Sequence, residues 1–151
     1  MTGIDITYTS DEDIEGLQDI LNYNDVSNED SELLKQALIY GVAYEICYVD
    51  EDGKQRFNII DSRDVFPIYY NTLTQDLAGV VYFWLIDNTD VSKGYYVDVY
   101  SKDGKKTYKT QSMFSSLVLL DESEYFYNQI PVSVFPLNKE EVSVFDCVLT
   151  L

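Results

Sequence analysis

Residues 43–59, AYEICYVDEDGKQRFNI, decide the fold class of this chain. Apolar and polar residues alternate up to Tyr48, and the alternation resumes at Phe57 and Ile59 after the acidic segment Asp50–Gly53. A period of two is typical of a strand with one buried face, and a short polar segment ending in glycine is typical of the turn between two such strands. The stretch therefore predicts a β-hairpin.

Two helices are predicted upstream of this hairpin. Three acids follow Ser10 in a capping pattern, and apolar residues then recur at helical spacing, so a helix is expected from about Asp11 to Tyr23. Acidic residues within Ser27–Asp30 precede a second helix, which should end near Gly41 because glycine suits a helix stop. The expected apolar face of this second helix contains Leu33, Leu34, Ala37, Leu38 and Gly41.

Three segments downstream of the hairpin have the pattern of strands. Gly94–Gln111 predicts a second hairpin that turns at Asp103-Gly104. Val80–Ile86 is a continuous apolar run of strand length, which predicts a central strand buried on both faces, with Trp84 in the core. Residues 131–136 begin and end with proline and predict an edge strand, because proline lacks a backbone N–H.

The composition indicates a folded, acidic protein. The 151 residues fit one domain, and the hydrophobic share of 46% can supply a core despite a net charge of −17. With the order of elements, this predicts an α+β fold, N-terminal helices followed by a mostly antiparallel β-sheet region, in a single domain over residues 1–151. The 27 acidic and 10 basic residues argue against tight binding of nucleic acid or an anionic membrane.

The lysines and cysteines fit structural roles. Four lysines surround the tip of the second hairpin, where charges usually protect a sheet edge. They are Lys102, Lys105, Lys106 and Lys109. Cys47 and Cys147 are too few for a disulfide framework, so reduced, buried thiols are expected.

The two ends of the chain predict its location and origin. The amino terminus lacks the basic and apolar regions of a signal peptide, and the longest apolar run is far short of the ~20 residues that span a bilayer. Residence in a reducing cytosol is therefore expected. The chain ends on an apolar segment at Leu151, which suggests that it is cut from a longer protein.

Patterns that carry catalysis are absent from the sequence. There is no histidine, which removes the commonest general base and zinc ligand, and no glycine-rich phosphate loop. Asp50–Gly53 is similar to part of a calcium loop, but Tyr48 would occupy a position that requires a carboxylate. We therefore predict no catalytic, cofactor-binding or metal residue, no cofactor and no enzyme activity. Two alternatives to a structural role remain: a generic protein interaction module, and a hydrolase that holds a metal through carboxylates alone.

Four segments, taken in chain order, carry a resemblance to a known family. Glu32–Gly53 is similar to the helix-to-strand segment of portal proteins of tailed bacteriophages, of the type found in phages of Gram-positive hosts. Ile60–Tyr69 resembles the family's acidic turn and apolar-Pro-Ile-Tyr strand, although Ser62 stands where the family usually has proline. Ile130–Glu141 resembles its extended segment and acidic turn, and Ile4–Tyr8 resembles its lead-in.

The resemblance implies a mechanical role. The chain would be the wing region of a portal protomer, without the stem, the clip and the C-terminal parts. The complete protein would form a ring, usually of twelve subunits, that serves as the channel for DNA packaging and ejection and as the head-tail connector. Its implied partners are the terminase, the capsid and tail adaptor proteins, with double-stranded DNA passing through but not tightly bound by this region. Its implied location is the portal vertex of the virion, and the host cytoplasm during assembly.

Some polar and aromatic residues in these segments are predicted to be structural. Arg63 is expected to form a local ion pair with Asp61 or Asp64 that organises its turn. The tyrosine-rich segments at 69–70, 95–96 and 125–127 are expected to lie in strands, as core and sheet surface, because tyrosine is favoured there.

Overall fold

The computed structural model describes residues 15–112, 115–125 and 128–145. In these ranges two α-helices precede eight strands in antiparallel sheets, which confirms the predicted α+β class. The helices are α1 (Glu15–Tyr23) and α2 (Val26–Tyr40). The strands are β1 (Val42–Val49), β2 (Gln55–Ile60), β3 (Val65–Tyr69), β4 (Leu77–Leu85), β5 (Tyr95–Tyr100), β6 (Gly104–Thr110), β7 (Val118–Glu124) and β8 (Val132–Pro136). Several residues named in the sequence analysis lie outside the described ranges. They are the predicted helix start at Ser10–Asp13, the segment Ile4–Tyr8, Phe126, Tyr127, Cys147 and Leu151.

The chain divides into two compact units. The first, here called the helix-sheet unit, contains the described residues up to Ser62 and those from Ser133 onward. The second, here called the sheet unit, comprises Arg63–Val132. The sheet unit is continuous in sequence and is inserted into the helix-sheet unit. No helix among the described residues is long and apolar enough to cross a bilayer.

The helix-sheet unit contains a three-stranded sheet in the order β2-β1-β8. β1 and β2 form the predicted antiparallel hairpin, with Cys47 opposite Phe57. Its turn is stabilised by Asp50, whose Oδ1 accepts hydrogen bonds from the backbone N–H groups of residues 52 and 54. β8 lies at an edge of this sheet, which confirms the prediction for the proline-bracketed segment. The predicted burial of Cys47 is wrong, because this free thiol is only half-buried.

The core of this unit lies between α2 and the hairpin. Leu33 and Ala37 of α2 and Ala43 of β1 are buried, with Ile59 and Leu137 packed against them. The predicted apolar face of the helix is only partly buried, since Leu34 and Leu38 are each 36% exposed. A sheet of three strands covers a narrow stripe of the helix, so the apolar residues beside that stripe remain at the surface.

The junction between α2 and β1 depends on Gly41. Its φ of +84° is left-handed, and its N–H donates to the carbonyl of Ala37, which ends the helix where the sequence predicts. Its own carbonyl accepts a hydrogen bond from the Leu137 N–H at 2.8 Å. A Cβ at this position would lie 2.1 Å from the carbonyl oxygen of Glu141. Only glycine therefore fits where the segment after β8 crosses the end of the helix.

A buried asparagine joins the helices to the free edge of β2. Asn24 lies between α1 and α2 and is 7% exposed. Its Nδ2 donates to the carbonyls of Ile20 and Gln55, and its Oδ1 accepts from the N–H of Phe57. The side chain thus satisfies backbone groups of β2 that a neighbouring strand would otherwise pair.

The sheet unit contains a five-stranded antiparallel sheet in the order β3-β4-β5-β6-β7. β5 and β6 form the predicted second hairpin, with Tyr100 opposite Lys105. β4 pairs on both sides, but the prediction that both its faces and Trp84 are buried is wrong, because Trp84 is 39% exposed. The described part of this unit is a single layer of strands, so full burial is confined to residues such as Val80 and Val97.

Candidate assembly surface

Several acidic side chains, including Asp50, Asp87 and Asp90, are engaged in local turns. Among the described residues, no group of three or more His, Cys, Asp or Glu side chains is placed to hold a metal ion. Asp87 shows how such acids are used, since its carboxylate accepts hydrogen bonds from Lys93 and from the backbone and hydroxyl of Thr89. The bond from Lys93, with those from Thr89, lowers the pKa of Asp87 to about 2. The carboxylate of Asp87 therefore stabilises its loop.

The centre of the sheet unit is a buried carboxylate. Asp98 is 4% exposed, and it accepts hydrogen bonds from the Thr107 hydroxyl at 2.6 Å and from the indole N–H of Trp84 at 3.3 Å. Lys105 Nζ lies 3.1 Å from its Oδ2. Burial, with the nearby charge of Asp98, raises the pKa of Tyr100 well above its ordinary value. The network fixes the positions of three strands, as a satisfied buried polar cluster does.

Trp84 is held at the surface by this network. Its ring contacts that of Tyr96, with centroids 4.6 Å apart and planes tilted by 40°. A cavity of about 650 Å³ lies beside it, lined by the end of β4 and by Asp64, Asn88 and Tyr95. The indole bonds to Asp98 while part of its ring faces solvent, which makes it an aromatic surface group with a fixed orientation.

Large apolar side chains are exposed along β3, one edge of the five-stranded sheet. Phe66 is 64% exposed, and Ile68, Tyr69 and Tyr70 are more than 40% exposed. Leu73, in the loop that follows, is fully exposed. The prediction of sheet surface is confirmed for Tyr69, whereas it is wrong for Tyr70, which follows the end of β3. Contiguous exposed apolar residues on a folded protein indicate a surface that another molecule covers.

The opposite edge strand, β7, is exposed along its entire length. The four residues Leu117–Leu120 are each at least half exposed and apolar. Acids follow them at Asp121, Glu122 and Glu124, and the pairing of β7 with β6 shifts register between Thr107 and Tyr108. A bulge and charges protect the second half of this edge from pairing with other strands, while the apolar first half lacks such charges.

The lysines singled out in the sequence have separate roles. Lys105 pairs with Asp98, and Lys106 pairs with Glu122 at 2.9 Å. The ammonium of Lys102 lies over the ring of Tyr70, 5.6 Å from its centroid. The prediction that all four lysines are solvated edge charges is therefore wrong for Lys105, which binds a buried carboxylate inside the sheet unit.

A second basic site, which the sequence reasoning missed, lies in the helix-sheet unit. The ammonium of Lys54 lies 4.3 Å from the ring centroid of Tyr23, and the guanidinium of Arg56 lies 4.8 Å from it. Two cations over one aromatic ring make a cation-π cluster at the start of β2. The spacing Lys54-Gln55-Arg56 places both cations on one face of a strand, and that signal could have identified the pair.

Comparison with known proteins identifies a family for this chain. The family model described as "Phage portal protein, SPP1 Gp6-like" matches residues 1–151. That range includes all four segments quoted from the sequence. No curated protein matches the chain.

Proposed function

This chain belongs to the SPP1 Gp6-like family of phage portal proteins, and on that premise we propose that it is the wing region of a portal subunit. The family match over residues 1–151 is the observation that carries the proposal. A portal subunit has a structural role, and this region would contribute no catalysis to it. The ring it helps to build would be the channel through which DNA is packaged and ejected, and the connector between head and tail.

The exposed apolar surfaces support a role in assembly. A ring closes through a heterologous interface, in which one surface of each subunit meets a different surface of the next. The sheet unit exposes apolar residues in two places that contacts with other molecules would cover, the edge at β3 and the strand β7. A single layer of strands gains its missing second layer most simply from neighbouring molecules.

The charge of the chain supports passage of DNA without tight binding. At −17, the chain repels a phosphate backbone, and a conduit must let DNA slide. Several lysines in the described part of the chain also form ion pairs with its own acids, among them Lys35, Lys93, Lys105 and Lys106. The terminase, the capsid vertex and the tail adaptors are the proposed protein partners. The proposed location is the virion, with the host cytoplasm during assembly.

Sedimentation velocity at low and high salt tests this proposal. We expect the 151-residue chain to be a monomer that associates weakly at high concentration, and to associate more strongly as salt screens the net repulsion. The species formed should extend beyond dimers, because a heterologous contact leaves a free surface at each end. A tight two-fold dimer that is insensitive to salt would contradict the proposed ring.

Binding of double-stranded DNA gives an independent test. Fluorescence anisotropy with a labelled duplex should show no saturable binding at physiological salt, because few cations are available to displace counterions. Tight, salt-sensitive binding would contradict the proposal that DNA passes this region without being held.

A further inference from the structure

The Tyr23–Lys54–Arg56 cluster has positive charge that the chain itself does not neutralise. Within the described residues, both cations contact Tyr23 and neither forms an ion pair with a carboxylate. Asp19 lines the hollow of about 520 Å³ beside them, yet it makes no ion pair with Lys54. Such a site is suited to carboxylates from another molecule.

Exposed aromatic rings lie beside this cluster. Tyr23 and Tyr48 are each 42% exposed. Tyr48 lies opposite Arg56 in the hairpin and therefore on the same face of it. The surface thus combines two cations with two partly exposed rings, and its best partner would combine acids with apolar side chains.

β7 has the complementary composition. Its apolar part, Val118–Leu120, comes after the exposed Leu117 and is followed directly by its acidic part, Asp121–Glu124. Glu122 is paired with Lys106, whereas Asp121 and Glu124 form no ion pair within the described residues. All seven residues of β7 are exposed, at the edge of the sheet. β7 therefore has two free carboxylates and an apolar stretch that the rest of the described chain does not cover.

We propose that the free edge of β7 in one subunit docks on the Tyr23–Lys54–Arg56 cluster of the next subunit, with Asp121 from one face of the strand and Glu124 from the other reaching the two cations, and with its apolar part covering the exposed rings of Tyr23 and Tyr48. This inference rests on the proposed ring, and it names the two surfaces of the heterologous contact. One surface belongs to the helix-sheet unit and the other to the sheet unit, so the contact cannot be satisfied by two copies of the same patch. Opposite charges at the contact would set the register of neighbouring subunits.

Charge reversal on each side tests the contact. The double variant Lys54→Glu, Arg56→Glu changes the net charge by −4, from −17 to −21. The matched control Lys35→Glu, Lys139→Glu has the same net charge but alters residues away from the cluster. Sedimentation equilibrium of the 151-residue chain should show association about tenfold weaker for the cluster variant than for the control, because two attractive pairs become repulsive. Far-UV circular dichroism checks that both variants are folded, and Lys54→Gln, Arg56→Gln replaces the first variant if it is not.

Mixing two charge variants tests whether β7 is the segment that occupies the cluster. The variant Asp121→Lys, Glu124→Lys should also associate weakly by itself, because its β7 is basic and its cluster remains basic. Mixed with the cluster variant, it should associate at least as strongly as the unaltered chain, since the basic β7 of one chain then meets the acidic cluster of the other. If the mixture does not regain association, β7 is not the occupant and the inference is overturned.

The remaining outcomes separate this inference from the proposed function. If the cluster variant associates as well as its control, the inference fails while the ring proposal stands. If the unaltered chain forms a salt-insensitive two-fold dimer, or does not associate at any concentration, the docking contact is overturned together with its premise.

Discussion

In the helix-sheet unit, α2 covers part of a three-stranded sheet and buries an apolar core around Leu33 and Ala43. In the described part of the sheet unit, five strands form one layer whose centre is the carboxylate of Asp98. The first unit has the two layers that a stable domain needs. The second combines the buried Val80 and Val97 with backbone pairing and a polar network, and it leaves apolar side chains exposed along both edges.

The difference lies in how each unit builds its core, and it does not extend to exposure. Apolar burial is the main source of stability, and the first unit obtains it by packing a helix on a sheet, whereas the second obtains it around Val80 and Val97. Both units leave large apolar side chains exposed, among them Val49 in the first and Phe66 in the second. Such exposed surface represents stabilisation that becomes available on assembly.

The largest effect is expected in the apolar core of the helix-sheet unit. Leu33→Ala should lower the free energy of unfolding by about 3 kcal/mol, because it removes buried methyl groups and leaves a cavity. Leu34→Ala is the matched control, since Leu34 is the next residue of α2 and is exposed. Urea denaturation followed by circular dichroism at 222 nm, which reports mainly the helices, measures both. Equal losses for the two leucines would show that the unit lacks a distinct core.

The next effect concerns the polar centre of the sheet unit. Asp98→Ala removes the acceptor of three donors, on Trp84, Lys105 and Thr107. It should lower the free energy of unfolding by about 2 kcal/mol, because the indole and the hydroxyl lose a buried partner. The estimate is below that for a fully buried ion pair because Lys105 is partly exposed. Asp121→Ala, in the exposed strand β7, is the control and should be nearly neutral. The fluorescence of Trp84 during urea denaturation reports this unit.

A smaller effect is expected at Trp84. Truncation of a fully buried tryptophan to alanine lowers the free energy of unfolding by about 3–5 kcal/mol. Trp84→Ala should lower it by only about 1 kcal/mol, mainly through the lost contact with Tyr96. Iodide should quench the native fluorescence of this residue, because part of the ring faces solvent. A blue-shifted emission that iodide cannot quench, together with a cost of several kcal/mol, would contradict the single-layer description.

The smallest effect is a pH dependence in the helix-sheet unit. Burial, with the charges of Asp30 and Glu29, raises the pKa of Glu45 above its ordinary value of 4.5. The folded state therefore binds this proton more tightly than the unfolded state, so this carboxyl destabilises the fold at pH 7 and the penalty disappears as pH falls through the raised pKa towards 4.5.

Glu45→Gln should remove that penalty. The variant should be more stable than the unaltered chain at pH 7 by roughly 0.5 kcal/mol, a value kept low because the group is half exposed to solvent. The gain should vanish by about pH 4, where Glu45 is protonated in both states. Glu51→Gln in the exposed hairpin turn is the control and should show no such pH-dependent gain. Thermal denaturation at a series of pH values measures the difference.

The sequence predicts local structure well where short-range patterns determine it. The hairpin turn at Asp50–Gly53 and the helix end at Gly41 follow from turn chemistry and from the backbone freedom of glycine, and both are found. Burial was predicted less well, and Trp84 shows the reason. A continuous apolar run predicts a strand buried on both faces, but only tertiary structure decides whether a second layer is present.

The candidate contact surfaces are equally hard to predict from sequence. Lys54 and Arg56 are ordinary strand residues in the sequence, and their meeting with Tyr23 of α1 depends on how the helix packs on β2. The exposure of β7 depends on its place at the end of the strand order, which no local pattern encodes. The family resemblance identified the structural role without indicating either surface.

The insertion of the sheet unit within the helix-sheet unit has a consequence for biosynthesis. A ribosome completes Arg63–Val132 before it makes the segment whose Leu137 N–H bonds to Gly41 and whose Val144 N–H bonds to Leu38. At a synthesis rate of roughly 5–20 residues per second, the end of α2 is made several seconds before these partners. The inserted sheet can form meanwhile, so the region that starts first during translation is the last to be finished.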